Sequence, residues 1–514
     1  MSCFLPSTPA PLQETLQPPR LGVQAVAPVA GVGAGRGLCQ DGPRPDSLVK
    51  REIDFTNRSA CGSGAATPGA PDVPDTAGAL ALRSTGRRGA LLGLASAFIL
   101  PGRARAYGDA PARAPLRVAS FPDLDRGVRA ALSAFQRRHP GVQVRINALG
   151  VADHHTAMTT ALATGANVPD LMAIDVDYIG RLSRSAGLHN LAAAPFLGAA
   201  GAANDAGPPA QQRLAAYALV AAQPRPGVQA ALPVDIGPGA LFYRADLLQR
   251  VGVDEAQLTR SWAGFIDAGR RLRQQTGAYL VAHAADLADI GIRSGLAAGE
   301  GVYFDGQGRP LVETARFVRA FERARAARQA GIDGRMRAWT NEWTQALRSG
   351  RVAAQMMGSW LAGHLKNWIA PGAAGLWRAA QLPEGAFAAW GGSYYAIPKA
   401  ARQPALAWEL LQLMALDKAQ QVAAFQALDA FPALLDAQAD AVMDEPLPYL
   451  GGQPVRQLWR TAAARIAPTA SDRYDPIAGL VVQAELMKVL DQGKGVAAAL
   501  GDARRTIERR VRRR

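Results

Sequence analysis

Cysteine is nearly missing from this chain of 514 residues. There are three, Cys3, Cys39 and Cys61, and none follows position 61. Everything beyond that point folds without a disulfide and is indifferent to the redox state of its compartment. Histidine is scarce too, six in all. The chain beyond residue 106 has no His-Glu-x-x-His, no Gly-x-Ser-x-Gly and no Gly-Lys-Ser/Thr; "DQGKGV" (491–496) lacks the hydroxyl residue that would hold magnesium. Zinc peptidases, nucleophile-elbow hydrolases and phosphate-loop enzymes are thereby excluded. A hydrolase built on two carboxylates leaves no such local mark. Lysine is rare, six against 51 arginines. The net charge of +15 therefore reflects an arginine-rich composition, with seven arginines between Arg504 and Arg514. We read that tail as the basic end of a solvated last helix, suited to the helix dipole, and expect no nucleic-acid partner. An acidic partner or an anionic lipid surface remains compatible with it.

Long apolar runs are also lacking. The run Ala90–Leu100 carries no charge but is too short to cross a bilayer, which takes about 20 residues. No other run reaches that length, so a soluble protein is expected. Arg87 and Arg88 precede the run, Pro101 and Gly102 follow it, and Ala104-Arg105-Ala106 is a small-x-small cleavage site. Residues 84–106 thus read as an export signal of twin-arginine type, with general secretion as the other route, because Gly89-Ala90 stands where a bulky apolar residue is usual. Residues 1–83, rich in Pro, Gly, Ala and Ser and without sustained period, read as a disordered leader or a mis-assigned start. No cysteine follows the apolar run, so a lipid-anchored start is not expected.

From Leu116 the pattern becomes regular. "LRVAS" predicts a strand, and the next segment a helix with Val128, Ala131, Leu132 and Phe135 on one face, capped by Asp125 and stopped by Pro140-Gly141. Val142–Ile146 alternates as a strand. A helix over "HTAMTTALATG" and a strand "PDLMAID" follow. Strand–helix–strand–helix–strand in about 60 residues predicts an α/β fold with a parallel sheet, and ligands gather beyond the carboxyl ends of such strands. That places Ser120–Asp123 and Asp175–Tyr178 on a binding rim. "AALPVDIGPGALFYR" (230–244) reads as a chain crossing between two lobes, "GVYFDGQGRPL" as a hairpin, and "WGGSYYAIPK" (390–399) as a second apolar strand.

Three segments in order carry a resemblance: "DIGPGALFYRADLLQRVGVD" (235–254), "WTQALRSGRVAAQMMGSW" (343–360) and "GGSYYAIPKAARQPALAWELLQLM" (391–414). Together they resemble the extracellular solute-binding proteins of ABC importers, the family-1 group that includes maltose-binding protein and other sugar-binding proteins. The likeness runs from Leu116 to the C-terminus. It implies a two-lobed periplasmic-binding-protein fold of type II: residues 107–230 begin lobe 1, 231–389 form lobe 2, 390–430 return to lobe 1, and 431–514 are helical and pack mainly on lobe 2. It implies a monomer in the periplasm, cleaved near Ala106, that closes on a sugar or oligosaccharide and delivers it to the transmembrane permease subunits, without cofactor or metal and without chemistry on the ligand.

Sugars need acceptors for hydroxyls and flat rings for their C–H faces. Trp360, after the Gly-Ser strand end, and Trp390, beside Gly391, Gly392, Ser393 and Tyr394, are the ring candidates, with Trp343 undecided between core and cleft. Trp343 is read as sharing a helix with Trp339. Trp408 and Trp262 read as packing. Asp235 on the first crossing, Asp175 and Asp177 beyond a strand end, and Asp123 are the acceptor candidates; Asp177 also reads as a helix cap. "SDRYDP" (471–476) either reaches the cleft or forms a loop. Other small polar ligands, a glycerophosphodiester or a polyamine, are closer rivals than ferric iron, for which Tyr394-Tyr395 and an exposed His154-His155 are the hooks. A secreted carboxylate-pair hydrolase is the enzymatic alternative.

Overall fold

The computed structural model describes residues 114–198 and 209–512. The expected leader, export signal and cleavage site, and all three cysteines, lie outside the described residues.

The first strands, β1 (Leu116–Ser120) and β3 (Leu171–Asp175), are apolar and buried, as strands covered on both faces must be. β1 lies parallel to both β2 (Val144–Ala148) and β3. The intervening helix, Leu124–Arg138, turns Val128, Ala131 and Phe135 inward, with Leu132 half-buried at the edge of the stripe. Two boundaries differ from the sequence reading. Asp125 lies inside the first turn, bonded to Arg129 at 3.2 Å, because Asp123 takes the left-handed conformation (φ 70°) that ends the loop. Val142 closes a turn onto the His139 carbonyl, so the strand starts two residues later than predicted.

The crossing segment is a single strand of 13 residues, β4 (Leu232–Arg244). Its length lets it serve two sheets. Leu232–Pro238 pairs with β8 (Ala389–Ala396), which also pairs antiparallel with β3. Gly239–Tyr243 pairs with β6 (Val352–Gly358) and Leu241–Arg244 with β7 (Trp377–Ala380), while β5 (Tyr279–Val281) runs parallel to β6. The order is β2-β1-β3-β8-β4-β6-β5, with β7 and β9 (Phe431–Pro432) beside β4. Pro233 and Pro238 cannot donate to the ladder, and register shifts fall at both.

Two apolar cores result. β6 contributes to both: Val352 and Met357 enter the first, and Ala353, Ala354 and Met356 the second. The C-terminal stretch divides likewise. Helix Val455–Arg465 buries Trp459 in the first core; helices Asp475–Gln492 and Val496–Arg512 bury Leu486, Leu500 and Ile507 in the second. Each such aliphatic side chain contributes about 1.5–3 kcal/mol. Trp408 is core, edge-on to Phe196. The predicted hairpin at 301–311 is a turn closed by one bridge, Phe304–Pro310, because Asp305 draws the N–H groups of Gln307 and Arg309 to its own carboxylate. In the last helix, Arg504, Arg505 and Arg512 pair with Glu313, Asp502 and Glu508. Among the described residues no helix is long and apolar enough to cross a membrane.

Candidate functional site

Where β4 passes from one sheet to the other, a cleft of about 1580 Å³ opens. One wall is aromatic. Trp360 follows β6, and its indole N–H donates to the Trp390 carbonyl at 2.9 Å. Trp339 stacks on Trp360 with centroids 5.7 Å apart and planes at 21°. His364 meets both rings edge-on and accepts the indole N–H of Trp368 at 2.9 Å. Trp339 and Trp368 are 54% and 43% exposed. The Trp360–Trp390 contact depends on glycines: a Cβ on Gly391, which sits at φ 92°, would stand 2.5 Å from the Trp360 Nε1, and one on Gly237 or Gly358 would strike the Trp390 carbonyl. Trp390 turns its ring toward Arg293, whose guanidinium lies 5.4 Å from the centroid.

The cleft is also lined by carboxylates. Asp175 ends β3 and caps the next helix, accepting the Asp177 N–H at 2.9 Å. Burial, then the charges of Asp177 and Asp235, push it up to about 7. Asp235 is raised by burial to about 6, against hydrogen bonds from Ser393 that pull the other way. On the second lobe, burial raises Asp289 and Arg293 holds it back. Asp475 is lifted to about 7, chiefly by burial. Tyr217 also lines this region, and its buried hydroxyl has no hydrogen-bond partner among the described residues.

Behind Asp175 lie the two histidines, which correct the exposed reading: both are buried. His155 Nδ1 donates to the Val151 carbonyl at 2.6 Å, and Nε2 accepts the Asp175 N–H at 2.9 Å. Its ring stacks on Tyr178 with centroids 3.8 Å apart. Burial lowers its pKa to about 4, so it is the neutral imidazole that holds the corner carrying Asp175 and Tyr178. Tyr395 bonds Ser120 at 2.9 Å behind the cleft, whereas Tyr394 lines it. Among the described residues no group of three or more His, Cys, Asp or Glu side chains is arranged to hold a metal ion.

Of the candidates named from sequence, the fold gathers Asp123, Asp175, Asp177, Asp235, Trp360, Trp390, Gly392, Ser393 and Tyr394 around the one cleft. Trp343 is not among them. It is fully buried, donates its indole N–H to Gln355 Oε1 at 2.9 Å, and braces Trp339 from behind. Trp339 precedes the helix instead of riding on it: Thr340 caps Asn341–Ser349 by accepting the Trp343 N–H, and Trp339 sits at φ 70°. Asp175, not Asp177, is the helix cap. Trp262 is buried as expected, yet its edge reaches the cleft, as do Ser471 and Asp475 of "SDRYDP". Sequence reasoning missed Trp339, Trp368, His364, Tyr217, Asp289 and Arg293. The Thr340 cap was a legible sign for Trp339; the others meet only through the fold.

Two α/β lobes joined by crossing strands around one cleft, with the β2-β1-β3-β8-β4 order in the first, define the type II periplasmic-binding-protein fold. The chain belongs to the bacterial extracellular solute-binding proteins, whose family model matches residues 119–421. A lactose-binding protein of Rhizobium radiobacter is 27% identical over 234 residues, which are 44% of this chain and 55% of that protein. The match thus spans about half the length of this curated relative. A solved extracellular solute-binding protein of family 1 superposes with TM-score 0.66 at 25% identity, covering 77% of this chain and 99% of its own. The galacto-N-biose-/lacto-N-biose I-binding protein of the ABC transporter from Bifidobacterium longum, solved with lacto-N-biose, gives 0.63 at 18% identity over 77% and 98%. The binding protein from B. animalis subsp. lactis Bl-04, solved with β-1,6-galactobiose, gives 0.62 at 18% over 76% and 96%. At 18% identity the likeness is one of fold.

Proposed function

We propose that this protein is the solute-binding subunit of an ABC importer and takes a sugar or oligosaccharide into its cleft. The observation that carries the reading is the shelf of Trp339, Trp360 and Trp368 in the same cleft as a set of carboxylates. Sugar C–H faces lie on the rings, while Asp123, Asp175, Asp177 and Asp235 accept hydroxyls and Gly392, Ser393 and Tyr394 let the backbone approach. Trp390 closes the shelf at the crossing. The cleft volume exceeds the roughly 300–1,000 Å³ usual for small-molecule sites, which favours a ligand of more than one ring. The sugars named for the curated relative and for the two solved structures, lactose, lacto-N-biose and β-1,6-galactobiose, are disaccharides. A ligand touching both lobes biases closure of a two-state hinge, and the closed form meets a membrane permease. The protein acts in the periplasm as a monomer after export through residues 84–106, and releases its ligand unchanged.

The test is a native, then a denaturing, mass of the protein recovered from its host's periplasm, followed by calorimetric titration of the stripped protein. A chain beginning at Tyr107 with an adduct of hexose multiples, and micromolar binding of one of the three disaccharides or of a maltodextrin, is the expected result. Binding of spermidine or a glycerophosphodiester with no saccharide binding overturns it, and release of cleaved sugar overturns the reading as a non-enzyme.

A further inference from the structure

The deep end of the cleft has more acceptors than a neutral sugar needs. We propose that it receives a protonated amine, so that the ligand is an amino sugar or an oligosaccharide bearing one; this rests on the saccharide reading above. Three neighbouring strands build the feature. Asp175 of β3 and Asp235 of β4 both stand directly opposite Ser393 of β8, one on each side. Directly paired residues place their side chains on the same face of a sheet, and strands lie about 4.8 Å apart. The two carboxylates therefore flank the serine hydroxyl, with Cα atoms roughly 10 Å apart. An ammonium above Ser393 is within reach of both.

The surroundings agree. Asp177 lies near Asp289 of the second lobe, and Arg293 is the cation shared among those two and Asp475. Asp175 and Asp235 bond only neutral groups, the Asp177 N–H and Ser393. Beside Asp235, Tyr217 lines the cleft, and its buried hydroxyl has no partner among the described residues. A sugar hydroxyl brings one proton to such a place and no charge. An ammonium brings three N–H donors and a charge, matching three acceptors: Asp175, Asp235 and Tyr217. A metal ion fits less well, because no three such ligands are arranged for one among the described residues.

The experiment is calorimetric titration at pH 7 with free-amine glucosamine and galactosamine oligomers of two and four residues, each against its N-acetylated and 2-hydroxy counterparts. The free amines are expected to bind at least tenfold more tightly than the 2-hydroxy sugars. Asp235→Asn and Asp175→Asn should each bring that ratio close to one; Tyr217→Phe, which removes only the unpartnered hydroxyl, should lower it and serves if either variant fails to fold. Equal or tighter binding of the 2-hydroxy sugars overturns the amine and leaves the saccharide reading standing. If no saccharide of any kind binds, both readings fall.

Discussion

Two tryptophans four positions apart show how far residue identity goes. Trp339 and Trp343 read as helical neighbours, and nothing in composition separates them. The Thr340 cap does, by starting the helix between them. One indole is thus fully buried and the other mostly exposed, in a left-handed conformation that costs about 1–3 kcal/mol for a non-glycine residue. Their substitutions should part company. Trp339→Ala removes an exposed ring and should leave the denaturation midpoint nearly unchanged while weakening ligand about tenfold, some 1.4 kcal/mol. Trp343→Ala empties a core site and leaves Gln355 Oε1 without its indole donor, so it should cost about 3–5 kcal/mol in guanidinium unfolding. Equal effects of the two on stability would refute this division.

At the scale of elements, local period and turn chemistry were legible and their meeting points were not. The stripe of Val128, Ala131 and Phe135 and the apolar runs of β1, β3, β4 and β8 were all readable, because burial imposes a period on each. In "ADLADIGIR" (285–293) nothing local marks Asp289 and Arg293 as site residues. They are part of the second lobe's contribution to the cleft, and only the path of β4 between two sheets puts them there. The glycines of the crossing were legible as a place of close approach, though what approaches was not: it is the indole of Trp360. Gly391→Ala combines a forbidden φ with a clash against that indole. We expect a stability loss of about 1–2 kcal/mol and a weaker ligand complex, by thermal denaturation and titration. An unchanged melting temperature would show that the Trp360–Trp390 contact does not need this glycine.

For the whole molecule, the cleft carboxylates set a proton balance. Asp175 and Asp475 titrate at about 7 and Asp235 at about 6, all above the ordinary 3.8. The folded state therefore holds protons that the unfolded state releases. Their stabilising contribution is complete below about pH 4 and is lost as pH rises through 6 to 7. Buried histidines such as His154 and His155, with lowered pKa, act in the opposite sense below 6.5. A difference measurement isolates the carboxylates: the melting temperature of Asp235→Asn minus that of the native protein should grow from pH 5 to pH 8. A flat difference would mean that Asp235 ionises in the folded protein as freely as in water. The division of the nine tryptophans has a practical side as well. Trp262, Trp339, Trp360, Trp368 and Trp390 border the cleft, whereas Trp343, Trp377, Trp408 and Trp459 lie in packed cores. Changes in intrinsic fluorescence and in quenching by acrylamide will come from the first set against a steady background from the second, so the protein is its own optical sensor, needing neither dye nor label.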